Sequence, residues 1–258
     1  MNGLKILFKK ELLEMYRSYK WVWMPLLFIS LGIMQPLTSY YLADIIKEFG
    51  GLPEGAVFET PLPTSQQVFT ETLGQFSQIG TLVIVLAAMG MLSNERNSGA
   101  ALMILVKPIS YTGYFLSKWL AAASLVIVSF LLGVSCTLYY TTLLFDPLPV
   151  KEVMISSGYY VVWLLVTVTI TLTLSAFIKK TAAVAGASIL ILLLLAVAAS
   201  LFKEPLRWTP GNLLTLAQQA IMNEPLIGSL GTLMVTSVFI AGISCAGIRY
   251  MKQGEWLR

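Results

Sequence analysis

The sequence predicts an all-α integral membrane protein with six transmembrane helices, and three observations carry that prediction. First, 57% of its 258 residues are hydrophobic and only 12% are charged, about half the charged fraction of a soluble domain. Second, six windows contain no Asp, Glu, Lys or Arg: 21–42, 72–94, 119–145, 153–178, 181–202 and 225–248. Each is about 22 to 27 residues long, enough for a helix to cross roughly 30 Å of hydrocarbon with room for tilt. Third, the charges outside the windows sort by side. Thirteen of the 17 basic residues lie before the first window, in the links between the second and third and between the fourth and fifth, or after the sixth. Nine of the 13 acidic residues lie in the other links. The basic side is then cytoplasmic, and both termini are inside, as an even number of spans requires.

The elements follow in chain order. In residues 1–20, Leu4, Leu7, Phe8, Leu12, Met15 and Tyr16 recur at helical spacing, with Lys9, Lys10, Glu14 and Arg17 elsewhere around the wheel. A basic amphipathic helix of this kind lies along the inner headgroup layer or docks on another subunit. The first span follows, with Trp21 and Trp23 at its inner end and Tyr40 and Tyr41 at its outer end, where aromatic rings meet headgroups. It is too long for a signal-peptide core, follows Glu11 and Glu14, and is expected to remain as an anchor. Residues 43–71 read as an acidic external loop, because Gly50, Gly51, Pro53, Gly55, Pro61 and Pro63 forbid a long regular element. After the second span comes a short inner segment, with an apolar run Ala100–Val106 too short to cross and Pro108 to stop it. A second short element from Ser110 leads through Tyr114 to Lys118 and the third span, which Trp119 and the Tyr139/Tyr140 pair bracket. Between the fifth and sixth spans, Gly211 and Asn212 start a short external helix running to about Met222, bounded by Pro205, Pro210 and Pro225. It is either a surface helix or part of a re-entrant hairpin.

The composition also excludes chemistry. The sequence has no histidine, no G-x-x-x-x-G-K-[ST] loop to cradle ATP, and no Asp, Glu, Lys or Arg inside any of the six windows. A charge at mid-membrane costs about 2.5 to 3.5 kcal/mol on insertion scales and is kept for a task such as proton relay. Proton coupling and an intramembrane hydrolase or lipid transferase are therefore disfavoured. The eleven methionines show no paired spacing for copper, and Cys136 and Cys245 read as small packing residues at opposite leaflets. No metal site and no cofactor is expected in this chain. The net charge of +4 is a consequence of topology, and no nucleic-acid role is expected. Gln35, Thr38, Gln75, Ser77 and Gln78 cluster toward the outer half of the first two spans. They read first as hydrogen-bonding glue between helices, and alternatively as the lining of a path for an amphipathic substrate.

Glu95, Arg96, Gly99, Leu102, Leu105, Pro108, Ser110 and Lys118 together form an inner segment that resembles the signature of the ABC type-2 exporter permeases. The overall layout is similar too: an interfacial N-terminal helix, six spans, both ends inside, and short external helices before the last span. Ala100 and Tyr111 depart from the family, which often has Thr and Arg there. The resemblance implies that residues 1–258 form a single permease domain in a cell membrane, that of a bacterial plasma membrane. It implies two permease copies, identical or paralogous, surrounded by membrane lipid, each docking its inner segment as a coupling helix on an ABC ATPase subunit. ATP and Mg would be bound by that partner. The implied cargo is a hydrophobic or amphipathic compound such as a peptide, antibiotic or lipid. A membrane scaffold or sensor that does not transport is the competing reading.

Overall fold

The computed structural model describes residues 2–49, 62–106, 109–202 and 206–253. Among them the elements are all helical: α1 Asn2–Arg17, α2 Lys20–Phe49, α3 Ser65–Gln75, a π-helical turn Phe76–Gly80, α4 Thr81–Ala88, α5 Ser93–Asn97, α6 Ala100–Leu105, α7 Tyr111–Leu144, α8 Val150–Phe177, α9 Thr181–Leu201, α10 Asn212–Ile221 and α11 Ser229–Lys252. Among the described residues, six stretches are long and apolar enough to cross a membrane: Lys20–Leu42, Ser65–Asn97, Tyr111–Leu144, Val150–Phe177, Thr181–Leu201 and Ser229–Lys252.

Several helices run past the charge-free windows, for a common reason. A charge stops a span from being apolar, but it does not stop a backbone from being helical. α2 continues through Ala43–Phe49, which the sequence assigned to the external loop. On the far side of that loop, Thr64 caps α3: its hydroxyl accepts the Gln67 N–H at 3.3 Å while the Gln67 side chain accepts the Thr64 N–H at 2.9 Å. This reciprocal cap starts the helix seven residues before the expected window. The loop's central glycines and prolines, together with Pro108 and Pro205, fall outside the described residues. α7 likewise begins at Tyr111 and absorbs the separate short element expected from Ser110 to Lys118, because only Gly113 interrupts a good helical sequence there. α11 begins later than expected, at Ser229 rather than Pro225, after Gly228 turns the chain at φ +78°. α10 matches the expected helix closely and packs against α8 and α9. Ser156 donates to the Ala217 carbonyl at 2.6 Å, and the Gly211 backbone approaches Leu195 so closely that a Cβ there would sit 2.1 Å from its carbonyl oxygen.

The core is built where small residues let spans meet. α2 crosses α7 at Gly32 and Gly133. A Cβ on Gly32 would lie 2.4 Å from the Gly133 carbonyl oxygen, and one on Gly133 would lie 2.8 Å from the Phe28 carbonyl oxygen. Such contacts matter in lipid, where spans associate by close packing and not by escape from water. Beside the crossing, four rings step through the bundle from α2 to α8: Phe28–Phe76 at 5.3 Å, Phe76–Phe130 at 5.7 Å and Phe130–Tyr160 at 4.8 Å between centroids. Three hydroxyls on the enclosed α8 are quenched within the helix, Thr167, Thr169 and Thr171 each donating to the carbonyl four residues before. α8 is the most enclosed span, whereas α9 and α11 leave most of their surface bare.

Gly133→Leu is expected to lower the thermal unfolding midpoint in detergent, because overpacking of this kind costs about 1–3 kcal/mol. Gly158→Ala, where a Cβ meets nothing within 4 Å, is expected to leave the midpoint unchanged.

Candidate functional site

At the end of the bundle that carries the termini, α1 lies against α7 with Leu7, Glu11 and Met15 turned inward. These positions are one turn apart, so the carboxylate of Glu11 sits in the middle of an otherwise apolar stripe. It is 2% exposed and needs a cation. Lys118 of α7 supplies one, with its ammonium 3.0 Å from both Glu11 oxygens. The same ammonium lies 3.0 Å from Glu95 of α5, and Lys118 is 1% exposed while Glu95 is 8% exposed. The buried Tyr114 hydroxyl donates to the second side of the cluster at Glu95. Lys10 closes it from outside, contacting Glu95, Glu11 at 3.0 Å and Glu14 at 2.9 Å. Burial alone would lower the Lys10 pKa, but Glu95, Glu11 and Glu14 outweigh it and hold the ammonium above the ordinary lysine range. Its contribution to stability is therefore complete at neutral pH and is lost only as pH rises past that raised value.

Next to the cluster is a polar cavity of about 180 Å³. Lys20 lines it and donates to the Ala87 carbonyl at 2.7 Å, near the end of α4. The oxygens of Glu11, Glu14 and Glu95 lie within 4.8 Å of one another, the only grouping among the described residues with metal-ligand spacing. Two lysine ammonium groups already occupy the positions between them.

The cluster holds a short projecting hairpin of helices. The second span breaks at Met89–Leu92, and the amide groups freed by the break find a partner in Ser175 of α8. Its hydroxyl accepts from the N–H groups of Leu92 at 3.2 Å and Ser93 at 3.0 Å, and donates to the Met89 carbonyl at 2.7 Å. Asn97 donates to the Lys179 carbonyl at 2.9 Å, tying α5 to the end of α8. Gly99 then turns the chain at φ +74°, a conformation that favours glycine. From that turn α6 projects with Ala101 buried beneath it and Leu105 half-buried against the core. Its outer face is bare: Leu102 is exposed, Met103 is 79% exposed and Val106 is 84% exposed.

The structure thus divides the inner segment into three groups. Gly99 and Ser110 set the backbone, Ser110 by capping α7 through the Gly113 N–H at 3.1 Å. Glu95 and Lys118 face inward, and Lys118 is the eighth residue of α7 and not a charge at the start of a span. Arg96 is half-buried, and Leu102 belongs to the projecting face. Sequence reasoning missed Glu11, Lys10, Tyr114 and Ser175. The available signal for Glu11 was a carboxylate in line with Leu7 and Met15.

At the other end of the bundle the structure joins two of the four candidate path residues. Gln75 donates to Gln35, and Gln35 donates to Glu71 and, at 3.3 Å, to Ser39. This network ties α2 to α3. Thr38 and Gln78 do not join it, and both are exposed. Gln78 instead lines a mostly apolar hollow of about 320 Å³ with Ser77, Thr81, Trp163 and Leu192, beside the π turn. Within that wall the buried Trp163 indole N–H and Thr81 hydroxyl have no hydrogen-bond partner among the described residues. Cys136 and Cys245 are both free thiols; Cys136 is half-buried and Cys245 lies on the surface of α11.

Comparison with known proteins adds family information. Residues 5–244 match the model of the ABC-2 family transporter proteins. The chain is also 32% identical, over 223 residues that make up 86% of each chain, to the uncharacterized transmembrane protein YxlG of Bacillus subtilis (strain 168).

Lys118→Met leaves Glu11 and Glu95 to share the half-exposed Lys10 as their one remaining cation in the cluster, and its cost is expected to be up to about 3–5 kcal/mol, read as a lower unfolding midpoint. Adding Glu11→Gln to Lys118→Met should recover part of that loss, because it removes one of the buried carboxylates left in excess of the cations. Independent, additive effects in this double-mutant cycle would show that the pair is not coupled.

Proposed function

The chain belongs to the ABC-2 family of transporter proteins, and on that premise we propose that it is the membrane-spanning permease subunit of an ATP-driven exporter whose ATPase is a separate polypeptide. Members of this family are membrane transport components, not catalysts in themselves, and they work with ATPase subunits. Its multi-pass architecture and bacterial relative accord with a cell-membrane location.

The observation that carries the proposal is the bare apolar face of α6. Met103 and Val106 project from a short helix that is anchored from behind, through Ser175 and Asn97, to the bundle. Apolar side chains presented on a rigid mount suit a protein partner. In this reading the terminal end of the bundle is cytoplasmic, and α6 seats in a groove of the ATPase, which binds ATP and Mg. Movement of α6 passes through Gly99 to α5, and from there along two routes. One runs through Glu95 and Lys118 to α1 and α7, the other through Ser175 and Lys179 to α8. A second permease copy, identical or paralogous, would cover bare faces of α9 and α11.

The hollow beside the π turn supports a cargo that is mainly apolar with a hydrogen-bond acceptor, a description that fits a peptide, an antibiotic or a lipid. Its wall is apolar, yet Trp163 offers an unused indole N–H. π turns inside helices are frequent at functional sites, and this one borders the hollow directly.

The test is the double variant Met103→Asp/Val106→Asp, purified with the ATPase that accompanies the wild-type chain from its native membrane. Both side chains are exposed, so membrane insertion and thermal midpoint should match wild type. Retention of the ATPase should fall at least about tenfold, given the apolar burial lost from the joint. Undiminished retention and unchanged substrate-stimulated ATP hydrolysis would refute the coupling role of α6.

A further inference from the structure

On the side of α1 away from Lys10, the helix does not lie flush on α7. An apolar groove of about 380 Å³ opens there, lined by Leu4 and Phe8 of α1, by α7 between Trp119 and Ile127, and by Leu165 of α8. The hollow exists because positions 123 and 124 carry small side chains, while Trp119 and Ile127 stand one turn away on either side. From residue 119 to 127 the lining extends about 12 Å along the helix axis. Its one polar tryptophan atom is already satisfied, since the Trp119 indole N–H donates to Thr169 at 2.8 Å. The interior of the groove therefore asks only for apolar contact.

Its rim asks for negative charge. Lys5 also lines the groove and is exposed, and Lys9, outside the lining, is exposed one turn further along the same helix. None of the lining residues is acidic. The carboxylates on α1 are engaged elsewhere, Glu11 with Lys118 and Glu14 with Lys10. A groove lined by apolar side chains, in a chain that spans a bilayer, with Lys5 in its lining and Lys9 one turn on, neither in an ion pair among the described residues, is complementary to one abundant molecule: a phospholipid with an anionic headgroup.

We propose that this groove holds an acyl chain of an anionic phospholipid whose headgroup lies at Lys5 and Lys9. The lipid fixes the outer flank of α1 while the ion cluster fixes its inner flank. Each lysine near the surface adds roughly a fivefold preference for an anionic over a neutral lipid. The proposal stands independently of the transport reading, because it concerns only how α1 is held.

The test uses the full chain in nanodiscs containing phosphatidylglycerol or phosphatidylcholine with a photoactivatable diazirine in the acyl chain. Labelled positions are mapped by peptide mass spectrometry, and labelling of α11 serves as the internal standard. Phosphatidylglycerol should label Leu4–Phe8 and Trp119–Ile127 at least about fivefold more than phosphatidylcholine at equal mole fraction. The exposed-site double variant Lys5→Gln/Lys9→Gln should lose that preference without losing α11 labelling. Ala123→Trp should fill the groove and suppress labelling by both lipids. Equal labelling by the two lipids, a preference that survives Lys5→Gln/Lys9→Gln, or no labelling in these segments because another chain covers them would each overturn the proposal.

Discussion

A lysine side chain with 1% exposure inside a helical bundle needs carboxylates placed to compensate it. Removing such a group from water costs several kcal/mol, and the attraction of a partner returns that only when geometry is good and every donor is used. Lys118 meets the condition with Glu11 on one flank and Glu95 on the other, both at 3.0 Å. Glu95 in turn is held by the Tyr114 hydroxyl and by Lys10. Withdrawing Glu11, Glu95 or Lys118 leaves its buried neighbours with fewer compensating charges than the closed arrangement gives them. The arrangement is thus weak as a source of net stability but strong as a specification of position, because one geometry satisfies it and neighbouring geometries do not.

That specification joins three parts of the chain that are far apart in sequence. Glu11 and Lys118 are 107 residues apart, and the cluster forces α1, α5 and α7 into one register. Ser175 brings in α8 by capping the broken backbone at the end of the second span. The result is a stiff mount beneath α6, even though α6 itself is only six residues long and could not persist as an isolated helix. Its outward face is free to be apolar because internal contacts, not that face, determine its position.

The six spans were legible in the sequence because lipid imposes a simple filter, and a charge-free window of sufficient length passes it. Their ends were less legible. The filter detects charge, whereas a helix ends where capping or backbone geometry ends it, so α7 contains Lys118 and α3 contains Glu71. The amphipathic first helix was visible in its spacing, but Glu11 looked like a surface charge until its partner was known. Likewise Gln35 and Gln75 could be placed in the same half of the membrane, yet their hydrogen bond depends on how α2 and α3 are rotated, which no single-helix pattern records. The π turn at Phe76–Gly80 left no mark in composition. It lies where the Phe28 ring packs against Gly80, a tertiary contact. Local pattern therefore fixed what the elements are, and long-range pairing decided which residues of the inner segment face inward and which project.

The distribution of constraint also limits how such a permease could move in the proposed cycle. Breaking the cluster would expose buried charges at a cost of about 3–5 kcal/mol for each partner lost, so α1, α5 and the start of α7 travel as a unit. The compliant places are elsewhere. The link Ile178–Lys180 joins α8 to α9 in three residues. α9 and α11 have few neighbours to hold them, and the hollow beside the π turn has α9 as one wall. A displacement delivered at α6 would reach the rigid unit first and be relieved last at α9. The volume and access of the hollow would change there, while the ion cluster kept its charges paired throughout.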